Sequence, residues 1–139
     1  AFNYKKTENL VLKLKELMPE GFDLYFDNVG GDFLEAAIFR MKNYGRIVIC
    51  GRISQMNSTT PPQGLKNMAH VLVKRLTIKG FLIFDHEDDT NNFQSDMIKW
   101  LSNKEIVTKE TIYEGIDNAP RAFVDLLNGK NIGKMLVKI

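Results

Sequence analysis

The sequence lacks most of the features that would give an easy answer. It has one cysteine, Cys50, in 139 residues, so no internal disulfide can form and an intracellular origin is favoured. No run approaches the ~18 apolar residues that suggest a membrane-spanning helix. The N-terminal stretch has no signal-peptide pattern. Charge of one sign is also missing: 19 Lys and Arg against 17 Asp and Glu leave a formal +2, and the basic residues are scattered. That argues against nucleic acid or an anionic membrane as partner. Zinc-ligand spacing, a Ser-His-Asp set and a Gly-x-x-x-x-Gly-Lys loop are absent. So is Gly-x-Gly-x-x-Gly, which a dinucleotide fold carries in its first strand–helix turn. Either the fold is a different one, or that turn lies outside this chain.

What is present is ordinary for a globular domain with its own core, 44% apolar and 26% charged. The chain opens Ala1-Phe2-Asn3-Tyr4, strand-like and without an initiator Met, as though another segment preceded it. Leu10, Val11, Leu14, Leu17 and Met18 share one helical face. Thr7 is the expected N-cap, and Pro19 and Gly21 stop that helix. Gly21 to Val29 reads as a strand ended by Gly30-Gly31. Asp32 and Glu35 are spaced as a capping box. Phe33, Leu34, Ala37, Ile38 and Met41 then form a buried face, and Tyr44-Gly45 ends the helix with Gly45 at the left-handed position.

Arg46-Ile47-Val48-Ile49-Cys50 is continuous and β-branched, as in a strand covered on both faces. Residues 51–64 make a long loop with Pro61-Pro62, of a length usually functional or mobile. A helix is predicted near Leu65–Lys74, a strand at Leu76–Phe84, and a helix marked by Phe93, Met97, Ile98 and Leu101. A strand at Thr108–Tyr113, a helix at Asp117–Asn128 closed by Gly129, and a strand at Lys134–Ile139 complete the chain. Strand–helix alternation up to residue 103 predicts an α/β fold with a parallel sheet and helices on both faces. A composition break near Lys104–Val107 marks a boundary.

Ligands of open parallel sheets sit beyond the carboxyl ends of the strands. Four such ends carry suggestive residues: Tyr4, Asn28 to Gly31, Cys50 to Ser54, and Phe81 to Phe84. Gly30, Gly31 and Gly51 would allow close approach of a flat or anionic ligand. The helix starting at Asp32 would add donors, although Asp32 itself repels phosphate. The plainer reading is that these glycines only make turns. Cys50 has no His near it in sequence and reads as a strand-end residue, not a nucleophile. His86-Glu87-Asp88-Asp89 carries hard-metal donors but reads as the solvated start of a helix. His70 reads as structural, and Trp100 as core or interface.

Four motifs in order carry a resemblance. They are Phe2-Asn3-Tyr4-Lys5, Phe26-Asp27-Asn28-Val29-Gly30-Gly31, the string from Gly45 through Cys50-Gly51-Arg52-Ile53-Ser54-Gln55-Met56-Asn57, and Gly129-Lys130-Asn131-Ile132-Gly133-Lys134. Across essentially the whole chain, the sequence resembles the zinc-free medium-chain prostaglandin and leukotriene reductases and the NADP-dependent alkenal double-bond reductases. The resemblance implies a subunit more than twice this length, with the glycine-rich turn upstream of Ala1. Residues 1–106 would then be the second half of a Rossmann-like doubly wound parallel sheet. Residues 107–139 would be a strand–helix–strand segment returning to the catalytic domain.

By the same resemblance, the cofactor is NADP(H) and the cofactor-binding residues are Tyr4, Asn28, Cys50, Gly51, Arg52, Ile53, Ser54, Gln55, Met56, Phe81, Leu82, Ile83 and Asn131. Tyr4 would contact the adenosine 2′-phosphate, and Asn28 the ribose and pyrophosphate. Cys50 to Met56 would lie near the nicotinamide ribose, and the main chain of Phe81 to Ile83 would pair with the carboxamide. Asn131 would reach the cofactor from the other domain. Met56 and Val73 stand where relatives have tyrosines, so no side chain here is assigned as catalytic, and a ribose hydroxyl or water would donate the proton. No metal is implied.

The reaction implied is reduction of the carbon–carbon double bond of an α,β-unsaturated aldehyde or ketone. The resemblance further implies a cytoplasmic homodimer joined through the Leu76–Phe84 region. The chain alone, without the pyrophosphate-binding turn, is expected to be inactive. The alternatives are an NADPH quinone reductase of the same superfamily and a non-catalytic α/β dimerisation module.

Overall fold

The structure, a computed structural model, describes residues 2–56, 59, 61 and 64–139. Backbone contacts divide the chain into two units, Ala1–Asp85 and His86–Ile139.

The first unit opens with a 3-10 turn at Tyr4–Lys6 where a strand is expected. Helix α1 (Leu10–Leu17) follows, capped by Asn9 and not by Thr7. The Asn9 side chain accepts from the Leu12 amide at 3.0 Å, while the Thr7 hydroxyl donates to the Asn3 carbonyl at 3.1 Å. An extended residue three before a free helical amide fits the cap geometry better. Leu14 carries the burial of this helix.

Three parallel strands form the sheet, β1 (Phe22–Asp27), β2 (Met41–Ile49) and β3 (Thr77–Gly80), in the order β1-β2-β3. The expected strand–helix alternation and parallel pairing are borne out. Strand β3 is much shorter than Leu76–Phe84 because β2 ends at Ile49, opposite Gly80. Beyond that point Phe81 N donates once more to Ile49 O at 2.9 Å, and a 3-10 turn begins at Ile83.

Helix α2 (Gly31–Arg40) realises the predicted apolar face. Leu34 and Ile38 join Met41 and Ile47 of β2 in the core, with Phe22, Tyr25, Ile49, Val71, Leu76 and Ile78 packed around them. Two predicted features of this helix are corrected. Its N-cap is Gly30, which has no side chain to cap with, and the Glu35 carboxylate accepts from the amides of Lys66 and Asn67 instead of closing a capping box. Its end is Arg40 and not Tyr44, because Met41 turns to extended backbone and the Lys74 ammonium collects the carbonyls of Phe39 and Met41 at 2.6 and 2.8 Å. Burial, then the charge of Arg40, holds Lys74 below its ordinary pKa. The positive φ falls on Tyr44 at 61°. Gly45 instead makes room for the Met41 side chain, which a Cβ there would strike.

Register assigns the two faces of the sheet. Tyr25, Ile47 and Ile78 stand side by side facing α2 and the short helix α3 (Met68–Lys74). The opposite face carries Leu24, Arg46 and Thr77, then Phe26, Val48 and Lys79. Here Leu24 and Phe26 are 57% and 50% exposed. Within this unit α2 and α3 pack on one face of the predicted Arg46–Cys50 strand, and strict alternation sends Arg46 and the half-buried Val48 to the other face.

In the second unit, α4 (Thr90–Ser102) precedes β4 (Glu110–Glu114), α5 (Ala119–Leu127) and β5 (Lys134–Lys138). Strands β4 and β5 pair in parallel from Glu110↔Lys134 to Glu114↔Lys138. Gly129 takes φ 68° after α5, as its predicted stop position requires. The side chain of Asp125, 8% exposed, accepts from the Tyr113 hydroxyl at 2.7 Å and the Lys130 ammonium at 2.6 Å. The Lys130 bond first, then the Tyr113 bond, holds its carboxyl below the ordinary 3.8.

A depressed native pKa means that this carboxylate contributes stability fully above the unfolded value, and the contribution is lost as pH falls through the native value. The melting temperature of the native chain is therefore expected to exceed that of Asp125→Asn near pH 6. The gap should close as the pH is lowered from about 4. Scanning calorimetry at several pH values tests this, and a gap independent of pH would refute it.

Candidate functional site

The carboxyl ends of the three parallel strands are level. Asp27 pairs with Ile49, and Ile49 with Gly80, so Asn28, Cys50 and Phe81 follow in one row along a single sheet edge. Asn28 and Cys50 are exposed there, and the Phe81 ring meets Phe26 edge-on at 5.7 Å. Leu82 and Ile83, the next residues, are 56% and 62% exposed.

Two of the loops at this edge are bonded to each other. Cys50 N and Gly51 N donate to Asp27 O at 2.8 and 3.0 Å, Ile53 N to Asn28 O at 3.1 Å, and Ser54 N to Val29 O at 3.1 Å. The Ser54 hydroxyl adds a 2.6 Å bond to Val29 O. A 3-10 turn spans Ile53–Gln55, with Met56 exposed beside it. The glycines serve this loop-to-loop contact. A Cβ on Gly30 would approach Arg52 Cβ to 3.1 Å, one on Gly31 the Ser54 hydroxyl to 3.0 Å, and one on Gly51 the Asn28 carbonyl to 3.2 Å. Asn57 of the third motif lies outside the described residues.

Sequence reasoning overlooked Asp27. It is fully buried and accepts from the Tyr25 hydroxyl at 2.8 Å and from the amides of Val29 and Gly30 at 3.0 Å each. Burial first, and then the bond to Asp27, pushes the Tyr25 phenol far above its ordinary pKa, so it stays a donor. A signal was present in the string Asp27-Asn28-Val29-Gly30, because an aspartate bonding to amides two and three residues on is a known way to fold a turn.

A cleft of about 1180 Å³ opens beside the N-terminus of α2. Of the expected cofactor residues it is lined by Tyr4, Gly51, Arg52, Ser54 and Gln55, but not by Asn28, Cys50, Ile53, Met56 or Phe81 to Ile83. Tyr4 is set there by an aromatic cluster, its ring edge-on to Phe33 at 5.5 Å while Phe33 stacks on Tyr25 at 5.8 Å. Asn131 belongs to the second unit, where its side-chain amide donates to Gly133 O at 2.6 Å.

A parallel α/β sheet with its loops gathered at one carboxyl edge is the layout of a crevice-binding α/β fold. The chain belongs to the zinc-binding dehydrogenase family, whose model matches residues 1–103. Prostaglandin reductase 1 of Bos taurus is 42% identical over 99% of this chain and 42% of its own length. The NADP(+)-dependent 2-alkenal reductase of Nicotiana tabacum is 40% identical over 100% of this chain and 40% of its own. Among solved structures, CurA from Vibrio vulnificus in complex with NADPH superposes with a TM-score of 0.85 at 39% identity, over 96% of this chain and 41% of that one. The chain thus spans about two fifths of the length of these relatives. Despite the family's name, no group of three or more His, Cys, Asp or Glu among the described residues is placed to hold a metal ion.

Proposed function

We propose that the carboxyl edge of β1, β2 and β3 forms part of an NADP(H) site. On this reading the whole protein reduces the carbon–carbon double bond of α,β-unsaturated aldehydes or ketones. The observation that carries the reading is the level row of Asn28, Cys50 and Phe81, the place where an open parallel sheet takes its ligand. The NADPH complex of CurA and the names of the reductases above support it.

The bound cofactor would supply the hydride. This chain's residues would do the holding. Tyr4 offers a phenol to the 2′-phosphate, Asn28 an exposed amide to the ribose and pyrophosphate, and Cys50 to Met56 the wall beside the nicotinamide ribose. The main chain of Phe81 to Ile83 offers bonds to the carboxamide, and Asn131 belongs to the set as a contact from the segment 107–139. Residues 1–106 would form the cofactor-binding part. The protein is proposed to be a cytoplasmic homodimer, and β3 supports the dimer as an edge strand of the described sheet followed by exposed Leu82, Ile83 and Phe84.

The test is NADPH oxidation by the full-length protein with alkenals and enones, beside quinones as competing substrates. Turnover of the enones is expected, and turnover of quinones alone would overturn the reading. Asn28→Ala should raise KM for NADPH about tenfold, the loss of one hydrogen bond to a charged group at about 1.5 kcal/mol.

A further inference from the structure

Asp27 takes no part in the cofactor contacts proposed above, yet it joins the two loops that make them. Its carboxylate is 0% exposed and lies at the end of β1. Oδ1 accepts from Tyr25, Val29 and Gly30, and Oδ2 receives a second, longer bond from Gly30 N at 3.2 Å. Its main-chain carbonyl meanwhile accepts from Cys50 N and Gly51 N. One residue therefore folds its own turn through the side chain and holds the neighbouring loop through the backbone.

We infer that Asp27 is a positioning residue for nicotinamide-cofactor binding, acting through Asn28 and the Cys50–Met56 loop; this rests on the site proposed above. A buried carboxylate with no cation among these partners is costly unless its lone pairs are filled, and here they are filled by the amides that shape the turn. Without the carboxylate, Val29 N and Gly30 N lose their acceptor. Val29 O then no longer holds the position in which it receives Ser54 N and the Ser54 hydroxyl. Asn28 O, the acceptor for Ile53 N, shifts with it. The loss therefore reaches both loops, whereas a purely structural residue of the core would change stability and leave cofactor affinity alone.

The experiment uses the full-length protein and measures NADPH binding by fluorescence, with KM and kcat for an enone, in Asp27→Ala, Asp27→Asn and Tyr25→Phe. Asparagine keeps an acceptor where Oδ1 accepts all three donors, so it should retain NADPH affinity within about threefold. Alanine should weaken it by about tenfold or more, with the KM of the enone little changed. Tyr25→Phe removes only the phenol donor and should fall between them. If Asp27→Ala does not fold, the other two variants decide, because the inference requires Tyr25→Phe to bind NADPH more weakly than the native protein while melting normally. Folded Asp27→Ala and Tyr25→Phe variants that bind NADPH as the native protein does would overturn the inference alone. A native protein that fails to bind NADPH would overturn the site and the inference together.

Discussion

Replacing Ile38 by alanine is expected to destabilise the first unit by about 2–5 kcal/mol, the usual range for truncating a fully buried aliphatic side chain. Ile38 is 0% exposed and sits at the centre of the α2–sheet core, against Ile47 at 1%. The loss is large because two terms add: the transfer energy of the removed methylenes, and a cavity that α2 cannot close while Lys74 holds its end. A whole domain is stable by only about 5–15 kcal/mol, so the variant should unfold at a much lower urea midpoint. Leu12→Ala on α1, 62% exposed, is the control and should change stability by less than about 0.5 kcal/mol. Equal midpoints for the two variants would show that the core is not where the burial places it.

Gly133→Ala should damage the second unit comparably. Gly133 has φ 75°, and a Cβ there would be driven into the Lys109 carbonyl. That carbonyl is the acceptor for Lys134 N at 2.8 Å, a bond at the start of the β4–β5 pairing. The left-handed backbone costs alanine about 1–2 kcal/mol, and forcing the strands apart adds about 1–3 kcal/mol. Far-UV circular dichroism followed with temperature reports the loss of the paired strands and α5, which should come at a lower temperature than in the native chain. An unchanged transition would mean that the two strands can separate without loss.

Much of the fold was legible because the apolar spacing is regular. Phe33, Leu34, Ala37, Ile38 and Met41 read as one buried helical face; Leu34, Ala37 and Ile38 are buried on α2, Met41 is buried at the start of β2, and Phe33 is half-buried, while Ile47 and Ile49 form the core-facing side of the strand predicted there. What was not legible depends on partners distant in sequence. The early end of α2 is set by the Lys74 ammonium on the carbonyls of Phe39 and Met41. Glu35, read as half of a capping box, is instead occupied by the amides of Lys66 and Asn67. The shortness of β3 follows from where β2 stops. At the proposed site the residue types were legible, but the bonding of one loop to the other was not, since it runs through main-chain atoms that every residue has.

Asp125 has a consequence for how this chain can vary. Tyr113 from β4, Lys130 from the loop after α5 and, at 3.9 Å, Arg121 on α5 share one nearly enclosed carboxylate. Groups joined in one network do not contribute independently. Removing any one partner changes the value of the others, and removing the carboxylate takes the shared acceptor from the Tyr113 hydroxyl and the Lys130 ammonium. Drift at these four positions is therefore constrained to move together, and a substitution harmless in one relative can be damaging when transplanted without its companions.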